Sequence, residues 1–162
     1  MIGSAEIKRA IREAVEQVER RFYDGAQSLR HWREAVAPLG TSWQKPYLET
    51  VPWLVAVFAE THVTGTPEQN YHVSESVGIA CGLFVVALHR MGLSTLPYTP
   101  TSMDFLGPIL GRPANEKPFL LFPVGYSATD ATVPDLVRKP IEQVAVFEGA
   151  RALPGRDAAS RA

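Results

Sequence analysis

The sequence predicts one soluble domain of mixed α/β class with a buried central helix. Its first residues repeat apolar side chains at helical spacing, which is typical of an amphipathic helix packed on a core. Two later runs, residues 53–59 and 119–126, are almost continuously apolar and predict strands that are buried on both faces. Between them, the segment from Ser74 to about Met91 is apolar on every side, which predicts a helix surrounded by protein.

The first helix follows from its apolar pattern and from the residues at its ends. Ser4 is a typical N-cap, and Gly25 can end the helix because glycine readily adopts a positive φ. The apolar residues between them recur three and four positions apart: Ile7, Ile11, Ala14, Val15, Val18 and Phe22. A short second helix is predicted over residues 28–39, stopped near Pro38, and a loop over 40–52 leads into the first strand.

The central helix is predicted to end at Gly92, and its glycines indicate a close contact. Gly78 and Gly82 lie four residues apart on one face, where another backbone can approach, within the core or between subunits. After it, residues 93–99 predict a second strand, which Pro97 places at an edge or bulge. A short helix closed by Gly111 precedes the strand at 119–126.

The C-terminal region predicts one further strand and a tail. The segment "QVAVFE" predicts a fourth strand, at an edge or exchanged between subunits. Residues 149–162 are predicted to be a disordered tail, which leaves one domain over residues 1–148.

Composition excludes several classes of partner. With 162 residues, 46% apolar residues and a formal net charge of −1, the chain has no basic excess for binding nucleic acid. No membrane association is expected, because the longest apolar run, residues 77–88, is shorter than the roughly 20 residues that a span needs. The single cysteine, Cys81, cannot form an internal disulfide, and without a secretory signal the predicted location is cytoplasmic.

Residue patterns alone point to no particular chemistry. The sequence has no GxSxG elbow, no phosphate-binding loop and no GxGxxG after a strand. Its four histidines are not spaced as metal ligands, so no metal is expected, and Cys81 lies in an apolar helix where a thiol is normally inert.

The second half of the chain resembles a known family. The stretch "ESVGIACGLFVVALHRMGLSTLPYTPTSMDFLGPILGRPANEKPFLLFPVGY", followed by "TVPDLVRKP", is similar to the nitroreductase superfamily, in particular its iodotyrosine-deiodinase-like branch. The resemblance implies an α+β, nitroreductase-like fold, with a central mixed sheet flanked by helices and a buried central helix. It also implies an FMN-dependent homodimer that reduces small aromatic substrates, with NAD(P)H as the electron donor.

The resemblance assigns two residues to the cofactor. Thr99, in "YTP", matches the position whose donor faces the flavin N5 and favours single-electron steps; otherwise it is a threonine that caps a turn before proline. Arg138, in "DLVRKP", matches the arginine on the FMN phosphate, a role that suits a bidentate guanidinium; otherwise it is a solvated surface residue.

The resemblance also implies a substrate clamp. Glu19 and Tyr23 share a helix face because they are four residues apart, and Lys45 follows in "TSWQKPYLETVP". In the deiodinase-like branch these residue types hold the ammonium and carboxylate of a halotyrosine under a mobile lid. The segment between Tyr23 and Lys45 is one residue off that pattern. The alternative is that Glu19 and Lys45 are solvated charges and Tyr23 is half buried.

The sequence matches the family only from a point after the family's first segments. The Arg-Arg-Ser and Gln-Pro-Trp segments that hold the flavin in the family have no match here, so the fold is expected to be N-terminally incomplete and to bind FMN weakly. The leading hypothesis is an FMN-dependent reductase of a small aromatic substrate, including reductive dehalogenation of a halotyrosine or halophenol. The alternatives are a general NAD(P)H nitroreductase and a non-catalytic fragment that keeps only the dimerisation core.

Overall fold

The structure, a computed structural model, describes residues 1–25 and 30–148. It divides into two units, Met1–Thr132 and Val133–Ala162, which are described separately. The helices are α1 (Ala5–Asp24), α2 (Arg30–Val36), α3 (Tyr47–Thr50), α4 (Val73–Arg90) and α5 (Leu106–Leu110), with 3-10 turns at Ala37–Leu39 and Ile141–Gln143. The strands are β1 (Trp53–Glu60), β2 (Ser94–Thr95) and β3 (Glu116–Gly125).

The three strands form one antiparallel sheet in the order β1-β3-β2. The long β1–β3 ladder runs from Trp53 opposite Val124 to Glu60 opposite Glu116, with one irregularity after Val57. The expected α+β class is therefore confirmed, but every strand pair in the described part of the chain is antiparallel, so the expectation of a mixed sheet is wrong for these residues. A parallel pair needs a crossover connection, whereas β2 reaches β3 in the antiparallel sense through a short helix.

Strand β1 lies between two apolar layers, as its sequence predicts. Leu54 and Phe58 belong to the cluster that includes Ile11 and Val15 of α1. The alternate residues Val55 and Val57 belong to the cluster around Phe122 and helix α4. This alternation follows from the period of two in a strand, which directs successive side chains to opposite faces.

Helix α1 begins as predicted and ends differently. The Ser4 hydroxyl accepts a hydrogen bond from the Ile7 main-chain N–H at 3.3 Å, which confirms Ser4 as the N-cap. Gly25 is the C-cap, but its φ is −80°, so it does not take the positive φ that was expected. Its N–H donates to the Arg21 carbonyl at 3.0 Å, and this contact needs no left-handed residue.

Helix α4 is not buried all round in this chain, which corrects the sequence prediction. Its described residues bury Cys81 and Leu88 against the sheet, while Ile79, Leu83 and Val86 are 67%, 67% and 57% exposed. The sheet covers one side of the helix only. Among the described residues it is also the one helix long and apolar enough to cross a membrane by length and composition. The absence of a membrane partner therefore stays a prediction.

Two further predictions are corrected. The fourth strand does not form at a sheet edge of this chain, because Ile141–Gln143 is a 3-10 turn and the residues from 144 to 148 are not part of any strand. The alternative, a strand exchanged between subunits, stays a prediction. A strand needs a ladder partner, which a short apolar sequence does not supply by itself. The second strand is limited to Ser94–Thr95, with one isolated bridge from Tyr98 to Leu121.

The predicted helix ends at Gly92 and Gly111 are confirmed. Both glycines have positive φ, +72° and +60°. The predicted boundary of the domain at residue 148 stays a prediction, and the predicted tail at 149–162 lies outside the described residues.

Candidate substrate and cofactor site

One cavity of about 240 Å³ brings together four of the five predicted site residues. They come from three separate elements: Glu19 and Tyr23 from the last turns of α1, Lys45 from the loop before α3, and Thr99 from the turn after β2. The full lining is Glu19, Phe22, Tyr23, Trp32, Thr41, Lys45, Tyr98, Thr99 and Thr101.

Glu19 is a buried carboxylate at this cavity. It is 6% exposed. Its Oε1 accepts hydrogen bonds from the main-chain N–H of Thr101 at 3.2 Å and from the Thr101 hydroxyl at 3.3 Å. These two bonds attach the turn that carries Thr99 to helix α1. The alternative that Glu19 is a solvated surface charge is therefore wrong.

Lys45 is a buried cation on the same cavity. It is 4% exposed, and its Nζ donates to the Thr41 hydroxyl at 2.9 Å and to the Ser42 carbonyl. The Nζ also lies 5.6 Å from the ring centre of Tyr98 and 6.0 Å from that of Tyr23, within the range of cation–π attraction. Burial lowers the pKa of the Lys45 ammonium, against the opposing effect of the nearby Glu19.

The two buried charges do not neutralise each other directly. In the described chain, no carboxylate oxygen of Glu19 lies within 4 Å of Lys45 Nζ, although both side chains line one cavity. A separated anion and cation are complementary to a zwitterion, whose ammonium and carboxylate are also held apart. The cavity can therefore bind the backbone of a free amino acid.

Aromatic rings form another part of the cavity wall. Trp32 of α2 makes edge-to-face contacts with Phe22 at 5.0 Å and with Tyr23 at 5.4 Å between ring centres. Sequence analysis did not predict Trp32 or Tyr98 as site residues. The aromatic character of both was the available signal, but neither residue has a spacing that relates it to Glu19 or Lys45.

Tyr98 places a buried hydroxyl at the site without a partner. Its Oη makes no hydrogen bond with the described residues and has almost no solvent contact. Burial raises the pKa of this phenol, and the negative charge of Glu19 raises it further. A buried hydroxyl without a partner costs folding free energy.

We therefore expect Tyr98→Phe to stabilise the unliganded protein by about 1 kcal/mol, because it removes an unsatisfied polar atom and keeps the ring. Urea unfolding followed by circular dichroism measures this change. Tyr126→Phe is the matched control, since Tyr126 is 80% exposed and should give no change. A loss of stability in Tyr98→Phe would show that the hydroxyl has a partner and would contradict the prediction.

Of the two predicted cofactor-binding residues, Thr99 lines the cavity, whereas Arg138 lies in the second unit. Thr99 is exposed at the cavity, and its hydroxyl makes no hydrogen bond with the described residues, so it is available as a donor. This is compatible with the donor role that the family resemblance implies for Thr99. Arg138 lies in the second unit, in an extended and exposed segment, and its predicted contact with a phosphate stays a prediction.

The sequence and the fold of this chain are those of a known protein family. Residues 1–126 match the model of the Nitroreductase family, so the chain belongs to that family. Within it, the chain is similar to iodotyrosine deiodinases. The protein from Haliscomenobacter hydrossis is 49% identical over 142 residues, which cover 86% of this chain and 64% of that protein. The human iodotyrosine deiodinase 1 is 39% identical over 150 residues, which cover 90% of this chain and 52% of that protein.

Solved structures agree with this assignment. A crystal structure of oxidised iodotyrosine deiodinase bound to FMN and 3-iodo-L-tyrosine matches with a TM-score of 0.72 at 27% identity, over 90% of this chain and 74% of that one. A BluB-like flavoprotein from Clostridium difficile matches with a TM-score of 0.63 at 16% identity, which supports the fold alone. The chain spans between about half and two-thirds of the length of the curated relatives described above.

Proposed function

We propose that the protein is an FMN-dependent oxidoreductase that reductively dehalogenates a halotyrosine. The observation that carries the proposal is the pair of buried, separated charges, Glu19 and Lys45, on one cavity with Tyr23 and Thr99. The similarity to iodotyrosine deiodinases, one of which was solved with FMN and 3-iodo-L-tyrosine, supports the same substrate class.

Each site residue has a role in this proposal that its chemistry supports. The Glu19 carboxylate accepts from the substrate ammonium, the Lys45 ammonium holds the substrate carboxylate, and the Tyr23 hydroxyl can donate or accept beside them. The charged clamp selects free amino acids, because a peptide-bonded tyrosine lacks both charges.

The cofactor is held by other residues. The Thr99 hydroxyl would donate to the flavin N5, and Arg138 would bind the FMN phosphate through its guanidinium. When bound in its reduced form, FMN would supply two electrons and a proton, with which the carbon–halogen bond is replaced by a carbon–hydrogen bond and halide is released. The protein contributes binding and orientation, and none of its side chains needs to act as a nucleophile.

We also propose that the protein is a homodimer and that helix α4 forms the contact with the second copy. Ile79, Leu83 and Val86 lie on one exposed apolar side of this helix, spaced four and three residues apart. At Gly78 and Gly82 an added Cβ would meet open space, so another backbone can approach there. An exposed apolar surface of this kind in a soluble protein favours association.

The proposal also covers the electron donor and the cellular location. NAD(P)H is the proposed electron donor, as the family resemblance implies. The proposed location is the cytoplasm, which the single buried thiol, Cys81, supports because it needs no oxidising compartment.

Anaerobic turnover tests the function. The protein is saturated with FMN, reduced with dithionite and mixed with 3-iodotyrosine, and free iodide and tyrosine are measured. The expected result is one iodide and one tyrosine for each reduced flavin consumed. Reduction of a nitroaromatic without any binding of 3-iodotyrosine would identify a general nitroreductase instead. A protein that binds no FMN at saturating concentration would be a non-catalytic fragment.

A further inference from the structure

Helix α1 carries a second carboxylate that contacts the Lys45 loop. Glu16 lies one turn before Glu19, and its Oε1 accepts a hydrogen bond from the main-chain N–H of Lys45 at 2.8 Å. Glu16 is not among the residues that line the cavity. It therefore fixes the chain that carries the cation without itself lying at the ligand position.

Glu16 is held in place by an ionic network that extends along the helix. Its Oε2 accepts from Arg12 Nη1 at 2.7 Å, and Arg12 Nε donates to Glu49 Oε2 at 2.7 Å. Arg9 Nε donates to the other oxygen of Glu49 at 3.1 Å. Glu49 follows Lys45 by four residues, and Lys8 Nζ of α1 donates to the carbonyl of Val51 at the end of helix α3. In the described chain, hydrogen bonds therefore attach the loop and helix α3 to helix α1 at three points. Partly exposed ion pairs add little stability, so the main effect of this network is positional.

The distance between the two charges of the clamp depends on these attachments. Glu19 is fixed on helix α1, whereas the Lys45 side chain bonds to Thr41 and Ser42, which belong to its own loop. Those two bonds orient the ammonium within the loop, but they do not fix the position of the loop relative to helix α1. In the described chain, the Glu16 bond is the hydrogen bond that joins the Lys45 main chain to the helix carrying Glu19.

We propose that Glu16 is a positioning residue, which sets the place of the Lys45 ammonium relative to Glu19 through the Lys45 main chain. The inference rests on the proposed function, because it takes Lys45 as the group that binds the substrate carboxylate. It follows that loss of Glu16 should weaken binding of a zwitterionic ligand. Binding of a halogenated phenol without the amino-acid group should not change.

Two variants and one control test the proposal in the FMN-loaded protein. Glu16→Ala removes the acceptor, Glu16→Gln keeps it, and Glu6→Gln removes an equal charge from an exposed position on the same helix. Quenching of flavin fluorescence measures binding. We expect the Kd of 3-iodotyrosine to rise about tenfold in Glu16→Ala, and to stay within about threefold in Glu16→Gln, as the loss of one buried hydrogen bond predicts. Glu6→Gln should match the unmodified protein, and the Kd of 2-iodophenol should stay constant throughout.

Amide hydrogen exchange gives a second readout that needs neither cofactor nor ligand. The Lys45 amide should exchange faster in Glu16→Ala and recover its protection in Glu16→Gln. Unchanged exchange, or equal weakening of 3-iodotyrosine and 2-iodophenol, would overturn the positioning role. If the unmodified protein does not bind 3-iodotyrosine, the proposed function fails. If it binds and Glu16→Ala binds equally well, only the positioning role fails.

Discussion

Lys45→Ala is expected to weaken 3-iodotyrosine binding about 100-fold, because it leaves the ligand carboxylate facing a buried site without its cation. Lys45 is almost fully buried, so water cannot readily replace the lost ammonium. Titration of the FMN-loaded protein by flavin fluorescence measures the change. The Kd of 2-iodophenol should stay the same, since that ligand carries neither charged group.

Glu19→Gln tests the other half of the clamp with a smaller structural change. The glutamine keeps an oxygen that can accept from Thr101, but it removes the charge that would face the substrate ammonium. It should therefore also weaken 3-iodotyrosine binding and leave 2-iodophenol unaffected. Lys117→Ala, at an exposed position in β3, is the control for loss of a lysine charge. Equal binding of 3-iodotyrosine by Lys45→Ala and Lys117→Ala would contradict the clamp.

Leu83→Lys is expected to convert the proposed dimer to monomers. The Leu83 side chain lies in the middle of the exposed apolar side of helix α4. A lysine there would bury one unpaired charge from each subunit in an apolar dimer interface. Light scattering coupled to gel filtration measures the mass directly. Because Leu83 is 67% exposed and does not belong to the described core, the variant should still fold.

Val63→Lys is the control for the dimer prediction. Val63 is also an exposed apolar residue, but it lies in the loop after β1, away from helix α4. The control should keep the mass of the unmodified protein. An unmodified protein that is monomeric, or a Leu83→Lys variant that stays dimeric, would refute the proposed contact.

The residues of the candidate site could be predicted where their type and spacing match the family pattern. Glu19 and Tyr23 are four residues apart, and Lys45 lies in a long motif, so their residue types could be matched one by one. Glu16 could not be predicted, because its contact is with a main-chain N–H 29 residues away and any residue type can supply that donor. The unpaired hydroxyl of Tyr98 likewise depends on packing that no local pattern encodes.

The sequence predicted the helices and strands of the fold more accurately than it predicted which of their faces are buried. Apolar periodicity predicted α1, β1, α4 and β3 with boundaries close to those observed. It could not tell whether helix α4 is covered by its own chain or by another molecule, because both environments exclude water and select the same residues. The absence of a fourth strand within this chain has a related cause, since strand formation depends on a neighbour that the local sequence does not specify.

The β1–β3 ladder also constrains how the protein reaches its native state. Trp53 pairs with Val124, and the whole of helix α4 lies in the chain between these two strands. The central ladder therefore cannot close until the ribosome has released most of the domain, and such long-range pairing makes folding slow. During that interval the apolar helix is not packed against its sheet, so we expect newly made chains to be prone to aggregation.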